Sequence, residues 1–107
     1  MTGGAAPAEA SQTLYCPDGQ YCAWEDDLRQ GHIFNHVATL GYVGDGWNDR
    51  FSSLENRRRD AVVFYEHDYG GGDGRVVGRG QVAKQLQFEW TEQGRVWNDR
   101  ITSVTAY

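Results

Sequence analysis

Seven residues, Trp47-Asn48-Asp49-Arg50-Phe51-Ser52-Ser53, recur as Trp97-Asn98-Asp99-Arg100-Ile101-Thr102-Ser103. Each copy reads Trp, Asn, Asp, Arg, apolar, hydroxyl, Ser. The chemistry on offer is that of hard oxygen: an amide carbonyl, a carboxylate, hydroxyls and loop carbonyls. Ca²⁺ takes roughly six to eight such oxygens at ~2.3–2.6 Å, whereas zinc and copper prefer imidazole and thiolate. The candidate ligands are Asn48, Asp49 and Ser52 in one copy and Asn98, Asp99 and Thr102 in the other. Arg50 and Arg100 hold donors only, so their guanidinium groups cannot ligate. Their side chains are expected to point away while their backbone carbonyls point inward. Phe51 and Ile101 should face a core, and Ser53 and Ser103 should hydrogen-bond at a turn or strand start. A single copy would be compatible with ordinary Asx and ST turns. A turn alone does not require Trp before it and Ser after it a second time, so the repetition points to a duplicated structural unit.

Other reactive residues offer less. Glu25-Asp26-Asp27, or Glu89 with Glu92, could supply a general acid and base, but acids in a hairpin turn read as solvated charge. His32, His36 and His67 lack metal-ligand spacing, and no Gly-x-Ser-x-Gly is present. The expectation is a protein that is not an enzyme. The two cysteines, Cys16 and Cys22, bracket Pro17-Asp18-Gly19. That is strong turn chemistry, which would bring the two sulfurs together. A disulfide over so small a loop adds ~2 kcal/mol in the chain-entropy model and implies secretion into an oxidising compartment. Zinc is disfavoured by the spacing and by the lack of a second Cys pair.

The elements that must position these groups are short. At 107 residues the chain is one domain, or two small halves sharing a core. With 14 Gly, 6 Tyr and 4 Trp, it reads as strands and tight turns. A formal charge of −5 argues against a nucleic-acid partner and suits cation binding if the acids cluster. No run of about 18 apolar residues is available to span a membrane. Residues 1–14 read as a disordered leader of small and polar residues. Strands are expected in the segments Tyr21 to Glu25, His32 to Val37, Thr39 to Val43 and Phe51 to Leu54. In the second half they are expected in Ala61 to Glu66, Arg75 to Gly78, Leu86 to Trp90 and Ile101 to Tyr107. Arg57-Arg58-Arg59 reads as a solvated linker between the halves. Two repeats of strand, hairpin, strand, strand, signature, strand predict an all-β sandwich of two four-strand units.

Tyr65-Glu66 before a Gly-rich hairpin, with two copies of Asn-Asp-x-x-Ser/Thr-Ser, resembles a microbial βγ-crystallin domain over roughly residues 15–107. The resemblance implies a βγ-crystallin-like sandwich of two Greek-key motifs, about 15–57 and about 60–107. It further implies two Ca²⁺ ions in a double clamp, each drawing on both signatures and on a backbone carbonyl near a hairpin strand. The ligands it implies are Asn48, Asp49, Arg50 (carbonyl) and Ser52, and Asn98, Asp99, Arg100 (carbonyl) and Thr102. Glu25 and Glu66 match the hairpin-strand position. The family hairpin runs aromatic, four residues, aromatic, one residue, Gly. Phe64, Tyr69 and Gly71 fit that spacing, whereas a start at Tyr65 puts Gly70 in the aromatic place. In the first half Trp24 leads to Arg29 and Gly31, with Arg replacing the aromatic, so the first hairpin is expected to differ. Cys16-Pro-x-Gly-x-x-Cys22 is similar to secreted actinobacterial proteins grouped with the Streptomyces metalloproteinase-inhibitor family, although the well-known inhibitor's second Cys pair is missing. That likeness implies an extracellular protease as partner, with the segment Gly78 to Leu86 as the candidate loop. A cell-surface glycan stacking on Trp24, Trp47, Trp90 or Trp97 is the third reading, and a monomer is expected throughout.

Overall fold

A computed structural model describes residues 15–107. The expected leader, residues 1–14, lies outside the described residues. The chain forms β1 (Tyr21–Asp26), β2 (Gln30–His36), β3 (Ser53–Asn56), β4 (Val62–Tyr65), β5 (Gly74–Val77), β6 (Val82–Ala83) and β7 (Ser103–Ala106). Single 3-10 turns cover Asp27–Arg29, Asp68–Gly70 and Leu86–Phe88. One antiparallel sheet runs β2-β1-β3-β6 and the other β5-β4-β7, the latter extended by a bridge from Leu40 to Val104. Each half therefore sends one short piece into the other half's sheet: β6 joins β3, and Leu40 joins β7.

Alternation along β1 builds two cores. Tyr21 and Ala23 face Phe51, Leu54, Val62, Phe64, Leu86, Ile101 and Val104 between the sheets. Cys22 and Trp24 face the other way, onto Cys16 and Ile33. Each large apolar side chain so buried stabilises by roughly 1.5–3 kcal/mol. Tyr21 meets Phe64 edge-on at 5.8 Å, and its hydroxyl donates to the Ala38 carbonyl at 2.7 Å. Cys16 and Cys22 are disulfide-bonded with Cα atoms 5.8 Å apart, as their spacing predicts.

Three expectations are corrected. Leu86 to Trp90 is not a strand: it opens with a 3-10 turn in which Leu86 is buried, while Phe88 and Trp90 are 68% and 65% exposed, so the alternating apolar residues share no buried face. The pairing strand is β6, and it and Leu86 tie the second part of the proposed 78–86 loop into the sandwich, while Arg79 to Gln81 form an exposed turn between β5 and β6. Thr39 to Val43 contributes only the Leu40 bridge.

The two hairpins also match each other. Leu28 and Tyr69 take φ of 56° and 51°, Arg29 and Gly70 take 59° and 76°, and Gly31 and Gly72 take 81° and 77°. The second hairpin thus starts at Tyr65 and ends at Gly72, in register with Trp24 and Gly31, while Gly71 is extended. The first hairpin keeps the same path despite Arg29, whose guanidinium pairs with Glu55 at 3.2 Å. Glycine is required at 72, where a Cβ would come within 3.1 Å of the Glu66 Cβ.

Candidate metal site

The signatures lie side by side and bond to each other. Asp49 donates its amide to the Ile101 carbonyl at 3.0 Å, and Asp99 donates to the Phe51 carbonyl at 2.9 Å. Both aspartates sit in the left-handed region, at φ of 59° and 58°, which Asp tolerates better than most residues. The following hydroxyl residues are anchored in parallel. Ser52 donates its amide to the Trp24 carbonyl at 2.8 Å and accepts from Leu86 at 3.1 Å. Thr102 donates to Tyr65 at 2.9 Å and accepts from Val43 at 2.9 Å. Phe51 and Ile101 fill the core, as their pattern predicts.

The last serine of each copy staples a hairpin. Ser53 Oγ accepts from the Arg29 amide at 3.0 Å and donates to the Asp26 carbonyl at 2.8 Å. Ser103 Oγ accepts from the Gly70 amide at 3.0 Å and donates to the His67 carbonyl at 2.5 Å. Each signature is therefore fixed against its own hairpin by Ser and against the other signature by Asp.

This framework gathers charge. Glu25, Asp26, Asp49, Arg50 and Asp99 line a cleft of about 250 Å³. Partial burial and the Asp49 carboxylate raise the Asp99 pKa, against a lowering pull from Arg50. Arg50 thus lines the cleft and acts on its acids, whereas its side chain was expected to turn away. It supplies positive charge in a group of four acids. The Thr102 hydroxyl reaches Asp49 Oδ1 at 3.5 Å. Asn48 Oδ1 and Asn98 Oδ1, at matching places in the two signatures, are both shielded from solvent without a hydrogen-bond partner. A buried acceptor left without any partner costs about 1–3 kcal/mol, and either water or a cation could satisfy these two.

The hairpin-strand glutamates are committed elsewhere. Glu66, almost wholly buried, accepts from Arg95 at 3.3 Å and lies 4.0 Å from Arg100. Glu25 meets His32 at 2.6 Å. Any contribution from these positions would come from their carbonyls. Among the described residues, no three His, Cys, Asp or Glu side chains cluster closely enough to hold a metal by themselves. An ion here would need the amide, hydroxyl and backbone oxygens as well, which is the hard-oxygen set suited to Ca²⁺. Asp26 and Arg95 were not singled out as site residues from the sequence. Asp26 was legible only as part of an acidic turn, and nothing marked Arg95 as Glu66's partner.

Trp24 and Trp97 are buried in the cores and Trp47 packs on Phe34 and Phe51, so of the four indoles only Trp90 stands well clear of the surface.

Solved structures similar to this chain include βγ-crystallin domains. One comes from work on the evolution of the eye-lens βγ-crystallin domain fold, with TM-score 0.74 and 17% identity over 86% of this chain and 89% of that one. A βγ-crystallin from Ciona intestinalis gives 0.68 at 16% identity, over 83% and 100% of the two chains. An archaeal βγ-crystallin gives 0.66 at 21% identity, over 85% and 100%. A comparison with curated proteins finds no match. Residues 9–77 match the family model described as peptidase inhibitor family I36. On a βγ-crystallin fold, then, this chain belongs to peptidase inhibitor family I36.

Proposed function

We propose that this chain is a secreted domain whose fold is stabilised by Ca²⁺ held between its two signatures. The supporting observation is the pair of orphaned amide oxygens, Asn48 Oδ1 and Asn98 Oδ1, each on the residue that precedes one of the interlocked aspartates, Asp49 and Asp99. The side-chain oxygens of Asn48, Asp49, Ser52, Asn98, Asp99 and Thr102 would hold two ions together with the carbonyls of Glu25, Arg50, Glu66 and Arg100. Bound Ca²⁺ would supply the positive charge that offsets repulsion between Asp49 and Asp99. The fixed hairpins and the reciprocal Asp amides hold the donors in place, so ordering them costs little at the moment of binding. Secretion is supported by the Cys16–Cys22 disulfide. Extracellular modules bind Ca²⁺ at roughly 10⁻⁴–10⁻³ M, and ligand at ten times Kd adds about 1.4 kcal/mol per site. Melting curves in EDTA and in CaCl₂ test the reading: a rise in Tm with CaCl₂ is expected, and identical curves with no calorimetric heat would sink it.

The family match favours a second activity, inhibition of an extracellular metalloprotease. The candidate contact segment is 87–95, where Phe88 and Trp90 are exposed and a Trp90–Val96 bridge closes a short hairpin. Thr91 Oγ1 accepts from the Gln93 and Arg95 amides at 3.2 Å and stiffens it. Titration of a thermolysin-like protease is the test. Proteolysis unchanged at stoichiometric excess removes this activity and leaves the calcium reading intact.

A further inference from the structure

The end of the sandwich away from the acidic cleft is basic. β1 and β3 run antiparallel, and Asp26 and Ser53 mark the signature end of that pair. At the opposite end, Tyr21 pairs with Asn56, and the chain continues into Arg57-Arg58-Arg59. The turn between β5 and β6 comes to the same place, because Gly80 donates its amide to Asn56 at 2.9 Å. The turn before β1 comes there too, with Gly19 donating to Arg57 at 3.0 Å. Three separate turns thus border an open depression of about 360 Å³ lined by Gly19, Arg57, Arg58, Arg59, Arg79 and Gly80.

Four arginines line this depression, and the contacts they make answer only part of their charge. Asp18 pairs with Arg57, and Arg58 Nη2 donates to the Tyr107 carbonyl at 2.7 Å. Among the described residues, Arg59 and Arg79 have no ion pair, and Arg58 Nη1 is shielded from solvent without a hydrogen-bond partner. Both glycines have positive φ, and a Cβ at either would meet no atom within 4 Å, so the two turns add no bulk at this rim. The Arg run is therefore one wall of a pocket completed by Arg79 from the other half of the chain.

We propose that Arg57, Arg58, Arg59 and Arg79 form a binding site for a phosphate- or sulfate-type oxyanion. Planar guanidinium forks match the edges of such an anion in a way a point charge does not. The site lies at the opposite end of β1 and β3 from the signatures and does not depend on the calcium reading. The anion can be free or carried on a lipid headgroup, and the two sources are separable.

The test uses the full chain in low-salt buffer, titrated with inorganic phosphate while the Gly19 and Gly80 amides are followed by NMR. Saturable shifts are expected, weakened by about tenfold or more in Arg59→Gln/Arg79→Gln, the scale of losing a charge-assisted contact. Neither arginine anchors the fold, so the variant should melt as the wild type does. Sodium chloride at matched ionic strength should leave the amides unmoved. Equal shifts with chloride, or undiminished binding by the double variant, overturn the proposal. A second arm sediments the chain with phosphatidylglycerol and phosphatidylcholine vesicles. Co-sedimentation with the anionic vesicles alone, lost in the variant, assigns the lipid headgroup. Phosphate binding without vesicle binding assigns a free anion, and failure of both arms overturns the site.

Discussion

The Asp49 amide donates to the Ile101 carbonyl at 3.0 Å, and across the same pseudo-twofold relation Asp99 donates to Phe51 at 2.9 Å. Each signature completes the other's backbone, so the two cannot respond independently. Asp49→Asn removes one carboxylate while keeping a side chain that accepts φ of 59°. The EDTA-treated variant should melt no lower than the wild type, because it loses like-charge repulsion with Asp99. Its stabilisation by Ca²⁺ should fall by more than one site's share, about 1.4 kcal/mol at ten times Kd. Loss confined to one of two calorimetric binding events would instead show independent loops.

Under the proposed calcium reading, Asp99 should give the response to Ca²⁺ a pH signature. Its pKa is raised in the fold, by burial first and by Asp49 second. The folded chain therefore holds this proton more tightly than the unfolded chain. In EDTA, the contribution of Asp99 to stability is full below the ordinary aspartate pKa and is lost as pH rises through the elevated one. Ca²⁺ needs the ionised form, so its affinity should drop, with proton uptake, as pH falls through that same window. Calorimetry in two buffers of different ionisation heat measures the proton linkage, and equal apparent heats in that window would contradict it.

The serine staples should matter without any cation. Ser53→Ala leaves the Arg29 amide and the Asp26 carbonyl without their side-chain partner, and Ser103→Ala does the same to Gly70 and His67. Both serines are fully buried. Each substitution should cost about 1–3 kcal/mol in urea unfolding, and a loss below a few tenths would show that water replaces the hydroxyl.

Glu66 and Glu25 occupy equivalent places with different burdens. Glu66 is buried and holds Arg95 and Arg100 across the second half, whereas Glu25 makes an exposed pair with His32. Glu66→Gln should cost roughly 1.5–3 kcal/mol, at the low end because Arg95 can rehydrate. Glu25→Gln should cost ~0–1 kcal/mol. Comparable losses in denaturant titrations would contradict the difference in burial.

Reduction of Cys16–Cys22 should lower stability by ~2 kcal/mol. It should also loosen the small core in which these sulfurs pack with Trp24 and Ile33. Urea unfolding of the Cys16→Ser/Cys22→Ser variant checks the first effect, and near-ultraviolet circular dichroism of Trp24 checks the second.

The all-β sandwich was legible in the sequence because its signals are local. Val62-Val63-Phe64-Tyr65 is β-branched and aromatic, the hairpins are rich in turn residues, and the signatures repeat. What escaped was set by partners from the other half. β6 is two residues long, and Leu40 is a single bridge, so neither has a period to read. The alternation in Leu86-Gln87-Phe88-Glu89-Trp90 misled for a related reason: Leu86 enters the core from a 3-10 turn, its amide donating a hydrogen bond to the Ser52 carbonyl, not by sheet pairing. At the site, the donor types were visible in one dimension. The meeting of Asp26 with Asp99, and of Glu66 with Arg95, depends on hairpins folding onto segments about 30 residues or more away, and no local pattern encodes that.

The exchange of short pieces between the sheets has a consequence for biosynthesis. β3 meets β6 only after the chain has been extended past Ala83, and Leu40 waits for Val104. A nascent chain leaving the ribosome or threading a translocation channel N-terminus first cannot close its first sheet on its own residues. Its early half must stay reactive until nearly the last strand arrives, so a fragment ending near residue 60 should remain unfolded alone and regain structure when the complementary fragment is added in trans.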